Sequence, residues 1–244
     1  MRYNKQDAIF VLKTFRRCCI MKENVVSCLR LPANVNIEKL ITCPQYGEVA
    51  AVLNWNGIPI TFFRTDFLQF ERVAWYCAEK FGNTAYHEEL PKEVTRSIAA
   101  KSGIFLSRNF IIPADVVYEE ARRTVETLSV PGLKSTLMYG VIYDVLGKWL
   151  LETGTLSKDE WLNSPKDKGS QQLILTRDCG GWTLEELLGD VFQLEWTQER
   201  YGNHYVVARA GQPATDGEAN YPARMRYAYD ESLGVGAKAR IFFF

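Results

Sequence analysis

Gly234-Val-Gly-Ala-Lys238-Ala-Arg240-Ile-Phe-Phe-Phe244 sets two glycines one residue apart ahead of a Lys/Arg pair and a short apolar run. Glycine lets backbone N–H groups come close to an anion, and neighbouring cations add charge for it. The strand-forming residues that follow need a sheet to tie into. The segment therefore predicts a loop feeding a paired strand, and the upstream chain must supply the sheet.

Working back from it, Arg224 to Tyr229 reads as a strand with Arg224 and Arg226 on one face and Met225, Tyr227 and Tyr229 on the other. In the last strand Lys238 and Arg240 share a face, with Ala239, Ile241 and Phe243 opposite. Pairing of these two strands through the glycine loop would line one sheet face with four cations. Such a face beside accessible aromatics suits single-stranded or hairpin RNA. A solvated outer face opposing a core face is the alternative. Further upstream, Gln172 to Thr176 and Tyr205 to Ala210 read as strands, and Thr183 to Trp196 as an amphipathic helix. The C-terminal third thus runs β-α-β-β-(glycine loop)-β, with a polar loop from Gly211 to Asn220.

The polar stretch Asn163 to Ser170 marks the boundary to a helical region. There Glu89 to Ser102 starts with Pro91 in its first turn, Asp115 opens a second helix, and Pro131-Gly132 ends it. Leu133, Leu137, Val141, Val145 and Trp149 then recur every four residues up to Gly154, and Ser157-Lys-Asp-Glu160 predicts a short capped helix. Nearer the N-terminus, Asn54-Trp-Asn-Gly57 between apolar runs predicts a hairpin over 48–64. Asp66 caps a predicted helix through Phe67, Phe70, Val73, Ala74, Cys77 and Phe81, ending at Gly82. Residues 7–32 fit a strand followed by a helix, or one broken helix. The expected organisation is an N-terminal α/β part (1–87), a helical region (88–165) and a C-terminal β-rich part (166–244).

Composition narrows the class. With 244 residues, 47% hydrophobic and 24% charged, the chain can bury one or two ordinary cores. Its 29 Lys+Arg balance 29 Asp+Glu, which argues against a generic polyanion binder. The distribution is uneven, however. Residues 1–30 hold seven cations (Arg2, Lys5, Lys13, Arg16, Arg17, Lys22, Arg30) against Asp7 and Glu23, and residues 221–244 hold four against Asp230 and Glu231. Ends that fold together would form a local positive surface; scattered solvated charges are the other reading. The six cysteines (Cys18, Cys19, Cys28, Cys43, Cys77, Cys179) show no C-x-x-C pair, and His87 and His204 are isolated, so no zinc site is legible. Free thiols, no signal peptide and no membrane span predict a cytoplasmic protein without metal or cofactor.

The terminal segment is similar to the glycine-rich loop of the RAMP superfamily of CRISPR proteins, G-x-G-x-K-x-x-hydrophobic-G-x-G near the C-terminus. Gly234, Gly236, Lys238 and Ile241 match, whereas Phe242 and Phe244 stand where the last two glycines fall. The β-α-β-β order resembles the ferredoxin-like half-domains of that superfamily, without a second helix before the loop. The resemblance covers about 70 residues, and its specific part eleven. It implies an α+β fold with a ferredoxin-like, RAMP-type C-terminal part and a helical central region. By length, the chain looks most like the endoribonucleases that process CRISPR repeat RNA, with the type IV enzyme as one form. Metal-independent attack by the RNA's own 2′-hydroxyl is implied, needing a base, an acid and a cation at the phosphoryl oxygens.

On that resemblance Arg16, Arg30 and Arg240 are the catalytic candidates, and Arg17, Arg224, Arg226, Gly234, Gly236 and Lys238 the RNA-binding ones. Arginine orients phosphate but stays protonated and is a poor base. Tyr3, Tyr227 and His204 are weaker candidates for proton transfer. The implied partners are CRISPR repeat or guide RNA and other effector subunits, with no membrane. Two further readings stay open: a non-catalytic guide-RNA-binding subunit, and a phage or plasmid inhibitor whose basic face meets a protein. The pairs Glu88-Glu89, Glu119-Glu120 and Glu185-Glu186 fit first turns or surfaces of helices and lack a metal-ligand pattern. Asp178-Cys-Gly-Gly-Trp182 reads as a turn.

Overall fold

The structure, a computed structural model, describes residues 31, 35–68, 73–77, 84–88, 90–108, 112–113, 115–128, 130–157, 183, 194–201, 203–209 and 226–244. The first strand, β1 (Val35–Cys43), precedes the predicted hairpin, whose arms are β2 (Gly47–Trp55) and β3 (Ile58–Arg64). Asn56 and Gly57 both take positive φ, 53° and 82°, as a two-residue turn of matching twist requires. The Asn54 side-chain oxygen accepts from the Gly57 N–H at 2.8 Å. Arg64, buried at the end of β3, donates to the Tyr46 and Glu48 carbonyls at 2.8 and 3.1 Å and to Asp66 at 2.9 Å, locking both hairpin ends.

The chain continues through β4 (Val73–Cys77), β5 (Thr84–Glu88), α1 (Lys92–Lys101), β6 (Gly103–Ser107), α2 (Tyr118–Thr127), β7 (Ser135–Leu137) and α3 (Gly140–Glu152). After it come β8 (Glu195–Tyr201), β9 (Tyr205–Arg209), β10 (Arg226–Asp230), a 3₁₀ turn over Glu231–Leu233, β11 (Lys238–Ala239) and β12 (Ile241–Phe243). Six strands form one antiparallel sheet in the order β1-β2-β3-β6-β12-β7. A second sheet runs β10-β9-β8-β11, antiparallel except for the last pair, and β4 with β5 makes a separate antiparallel hairpin.

The large sheet is apolar on both faces. On one, Val52, Phe63, Ile104, Leu106 and Phe242 pack with Val94 and Ile98 of α1 and with Val141, Ile142, Leu146 and Trp149 of α3. On the other, Leu53, Ile60, Phe62, Phe105, Ile241 and Phe243 pack with Tyr118, Ala121 and Val125 of α2 and with Trp196, Val206 and Ala208 of the second sheet. Successive residues therefore go to opposite cores, as the two-residue period of a strand demands. This explains the unbroken Ile241-Phe-Phe243 run: a strand covered on both sides has no polar face.

The α+β class holds, with mixed helices and largely antiparallel sheets. Several local expectations do not. The helix predicted over 66–82 contains β4, and the predicted helical region 88–165 includes β6 and β7. Leu133 and Leu137 precede α3 rather than belonging to it, and Trp196 lies in β8 rather than ending a helix. β1 and β8 carry no strand expectation. The boundary at 163–170, the strand at 172–176, the polar loop 211–220 and most of the helix at 183–196 lie outside the described residues, as do residues 1–30. The large sheet draws strands from all three predicted sections: β1 to β3, then β6 and β7, then β12. Among the described residues no helix is long and apolar enough to cross a membrane.

Candidate functional site

The route of the terminal segment shows what its glycines do. The Asp230 side chain accepts from the Ser232 N–H at 3.0 Å and caps the 3₁₀ turn, which ends on Gly234 at φ 63°. Gly234 is exposed, and a side chain there would meet nothing within 4 Å. Gly236 is different: a β-carbon would lie 2.7 Å from the Asp115 backbone, so only glycine fits. Its close approach is to the chain's own main chain, where it bridges Val117. Ala237 then donates to the Val116 carbonyl at 3.1 Å and Lys238 to Leu194 at 2.9 Å. β11 runs parallel to β8, with Lys238 opposite Glu195, and the half-buried Lys238 lies on an edge strand of the second sheet.

Arg240 turns inward between β11 and β12. It is 1% exposed and forms an ion pair with the equally buried Glu195 at 3.7 Å. Glu195 also accepts a hydrogen bond from the Tyr143 hydroxyl of α3. Directly across from Glu195 on β9 stands Arg209, which pairs with Glu199 at 3.3 Å and places its guanidinium 4.8 Å from the Tyr143 ring centre. Thr197 donates to the Val207 carbonyl at 2.9 Å and completes the cluster. Two carboxylates thus face two guanidiniums, and the pocket is neutral by pairing, as burial of charge requires. Burial, and then the Glu195 charge, hold the Tyr143 phenol well above its ordinary range.

Glu199 reaches the start of α3. A β-carbon on Gly140, the first residue of that helix, would overlap the Glu199 carboxylate. The negative group therefore sits at the positive end of the helix dipole. The sequence does carry one signal for this site: Glu195, Thr197 and Glu199 alternate, the mark of one strand face. The amphipathic pattern over Thr183 to Trp196 points instead to a helix running through Trp196. Arg209 and Tyr143 lie far apart in sequence and carry no local signal.

Of the other candidates, Arg226 opens β10 opposite Arg209 on β9, and Tyr227 follows it opposite Ala208. His204 is exposed in the turn between β8 and β9, its carbonyl accepting from the Glu231 N–H at 3.0 Å. His87 lies in β5 opposite Ala74. Tyr3, Arg16, Arg17, Arg30 and Arg224 lie outside the described residues. The expected pairing of the strands near 224–229 and 238–244 does not form: β10 pairs β9, β11 pairs β8, and β12 joins the large sheet. A terminal strand apolar on both faces is better buried between two layers than set in a hairpin with one wet face. The single face carrying four cations is accordingly absent, because Arg240 is sealed against Glu195.

The surface beside the loop mixes charge with apolar area. Arg200 bridges Glu119 at 3.4 Å and Glu231 at 3.3 Å and stacks 5.1 Å over the Tyr118 ring. Hydrogen bonding from Arg122 holds the Glu119 carboxyl below its usual range. Val117 and Leu233 are exposed, the latter by 60%. Among the described residues no cluster of His, Cys, Asp or Glu could hold a metal ion. No family model, curated protein or solved structure matches the chain.

Proposed function

We propose that the chain is an RNA-binding protein of the CRISPR-associated RAMP kind, and that it grips repeat or guide RNA rather than using Arg240 to cut it. The ferredoxin-like reading of the C-terminal part belongs to this proposal. One observation carries it: Lys238 stands on β11, which ends the second sheet, and Gly234, four residues before it, is open to solvent on its side-chain side. The N–H groups of Ala237 and Lys238 are used within the fold, so the contact this reading offers a phosphate is the exposed Gly234 together with the Lys238 side chain. Burial of Arg240 favours the non-catalytic form, since a charge-stabilising cation must reach the reacting phosphate. Other effector subunits are the partners this reading implies.

The test is a binding titration with CRISPR repeat hairpin RNA across a range of salt, with and without EDTA. Salt-sensitive binding without cleavage is expected, and Lys238→Ala should lower the slope of log affinity against log salt by about one contact's worth. Cleavage that persists in EDTA would restore the endoribonuclease reading. Absence of binding at low salt sinks both RNA readings and leaves the protein-binding inhibitor.

A further inference from the structure

We propose that the outer edge of β1 is a contact between two copies of this chain. β1 ends the large sheet, and among the described residues no strand lies beyond it. Over its nine residues, Asn36 to Leu40 are exposed without a break, and Ile37 and Leu40 are each 38% exposed. A long edge carrying apolar residues is a template for another strand unless something blunts it.

The pairing of β1 with β2 determines which residues share a face. Ile37 stands opposite Leu53 and Lys39 opposite Val52, so Glu38 is an extra, bulged residue. The bulge shifts the alternation. Val35, Ile37, Leu40 and Thr42 consequently fall on one face, and Asn36, Lys39, Ile41 and Cys43 on the other.

The bulge makes Glu38 and Lys39 one ladder position, and a two-fold axis through it gives a self-complementary antiparallel register. Ile37 meets Leu40 of the second copy, Asn36 meets Ile41, and Val35 meets Thr42, each pair on the same face of the extended sheet. At the centre Glu38 meets Lys39, twice over, so the cation that would otherwise guard the edge finds an opposite charge, and the bulge that would otherwise bend the edge away meets its own symmetry mate. Glu38 accepts from Asn54 of β2 at 3.2 Å, a bond that pairing with Lys39 of the second copy must share or replace. Such an isologous contact is small, and the dimer is accordingly weak and concentration-dependent.

Light scattering coupled to gel filtration, over micromolar to millimolar chain, reads the outcome directly. The wild type should move from monomer to dimer as concentration rises, and Leu40→Asp should stay monomeric. Glu38→Lys should weaken the dimer by about tenfold, because two attractive cross-strand pairs become repulsive. The double exchange of Glu38→Lys with Lys39→Glu restores opposite charges and should recover most of that loss. Circular dichroism melts will show that these exposed substitutions leave the fold intact. A wild type that stays monomeric throughout overturns the proposal. So does a dimer indifferent to Leu40→Asp, or a double exchange no tighter than Glu38→Lys alone. None of these outcomes depends on RNA binding.

Discussion

At the scale of single residues, Arg240 and Gly236 turn out to serve the interior. The sequence places Arg240 beside Lys238 in a basic segment, and neighbours along the chain look alike in charge. Burial separates them: Lys238 stays at the edge, whereas Arg240 pairs with Glu195 from a distant strand. A contact between residues this remote leaves no trace in local spacing. Removing one partner of a buried ion pair strands the other charge, so Arg240→Met should cost about 3–5 kcal/mol of stability in urea titration. A loss below about 1 kcal/mol, the scale of exposed pairs, would mean that the guanidinium is solvated. Gly236 illustrates the same limit. Its need for glycine was legible, but the object it approaches is the Asp115 backbone and not an anion.

At the scale of elements, legibility followed how far each pattern relied on its own turn. The β2–β3 hairpin was readable because Asn56-Gly57 specifies its turn locally. Val73 to Cys77 reads as helix because apolar spacing of three and four residues also occurs by chance in a short strand, and pairing with Thr84–Glu88 decides for the strand. The four-residue apolar repeat from Leu133 to Trp149 likewise runs across β7 into α3 without a break in periodicity. The glycines that the RAMP resemblance expects in the terminal strand are replaced by Phe242 and Phe244, and the fold supplies a reason for the first. Phe242 is fully buried against α3 and its neighbours, stacking edge-on with Tyr139. Phe242→Ala should therefore cost about 3–5 kcal/mol, measured as a shift of the urea midpoint at unchanged slope. A loss of only a few tenths would show that β12 is dispensable to the sheet.

At the scale of the whole molecule, a mixture of helices and strands was readable from periodicity and the resemblance implied the α+β class, but the arrangement of sheets was not legible. Strand order depends on which apolar faces meet, and β12 reaches across the chain to settle between β6 and β7. The buried cluster where α3, β8, β9 and the terminal segment meet has a consequence for pH. The Tyr143 phenol is held neutral in the folded protein well above its ordinary value of 10.0. Below that value the folded and unfolded chains bind the same proton, and its contribution is intact. As pH climbs from there toward the raised value, only the unfolded chain ionises, so stability falls. Alkaline titration should show Tyr143 silent in ultraviolet absorbance until the protein unfolds. In Tyr143→Phe the phenol's share of the alkaline slope should vanish, with lower stability at neutral pH from the lost bond to Glu195. An unchanged alkaline slope would place the phenol in contact with solvent.

The position of β12 also bears on how the protein is made. Ser107 accepts a hydrogen bond from Ile241, 134 residues later, and β6 and β7 are translated long before the strand that joins them. Until β12 is made, β6 lacks its partner on that side and β7 has no strand to join it to the sheet. The growing chain must keep that edge of β6 from being taken by a stranger until its own Ile-Phe-Phe emerges to cover it.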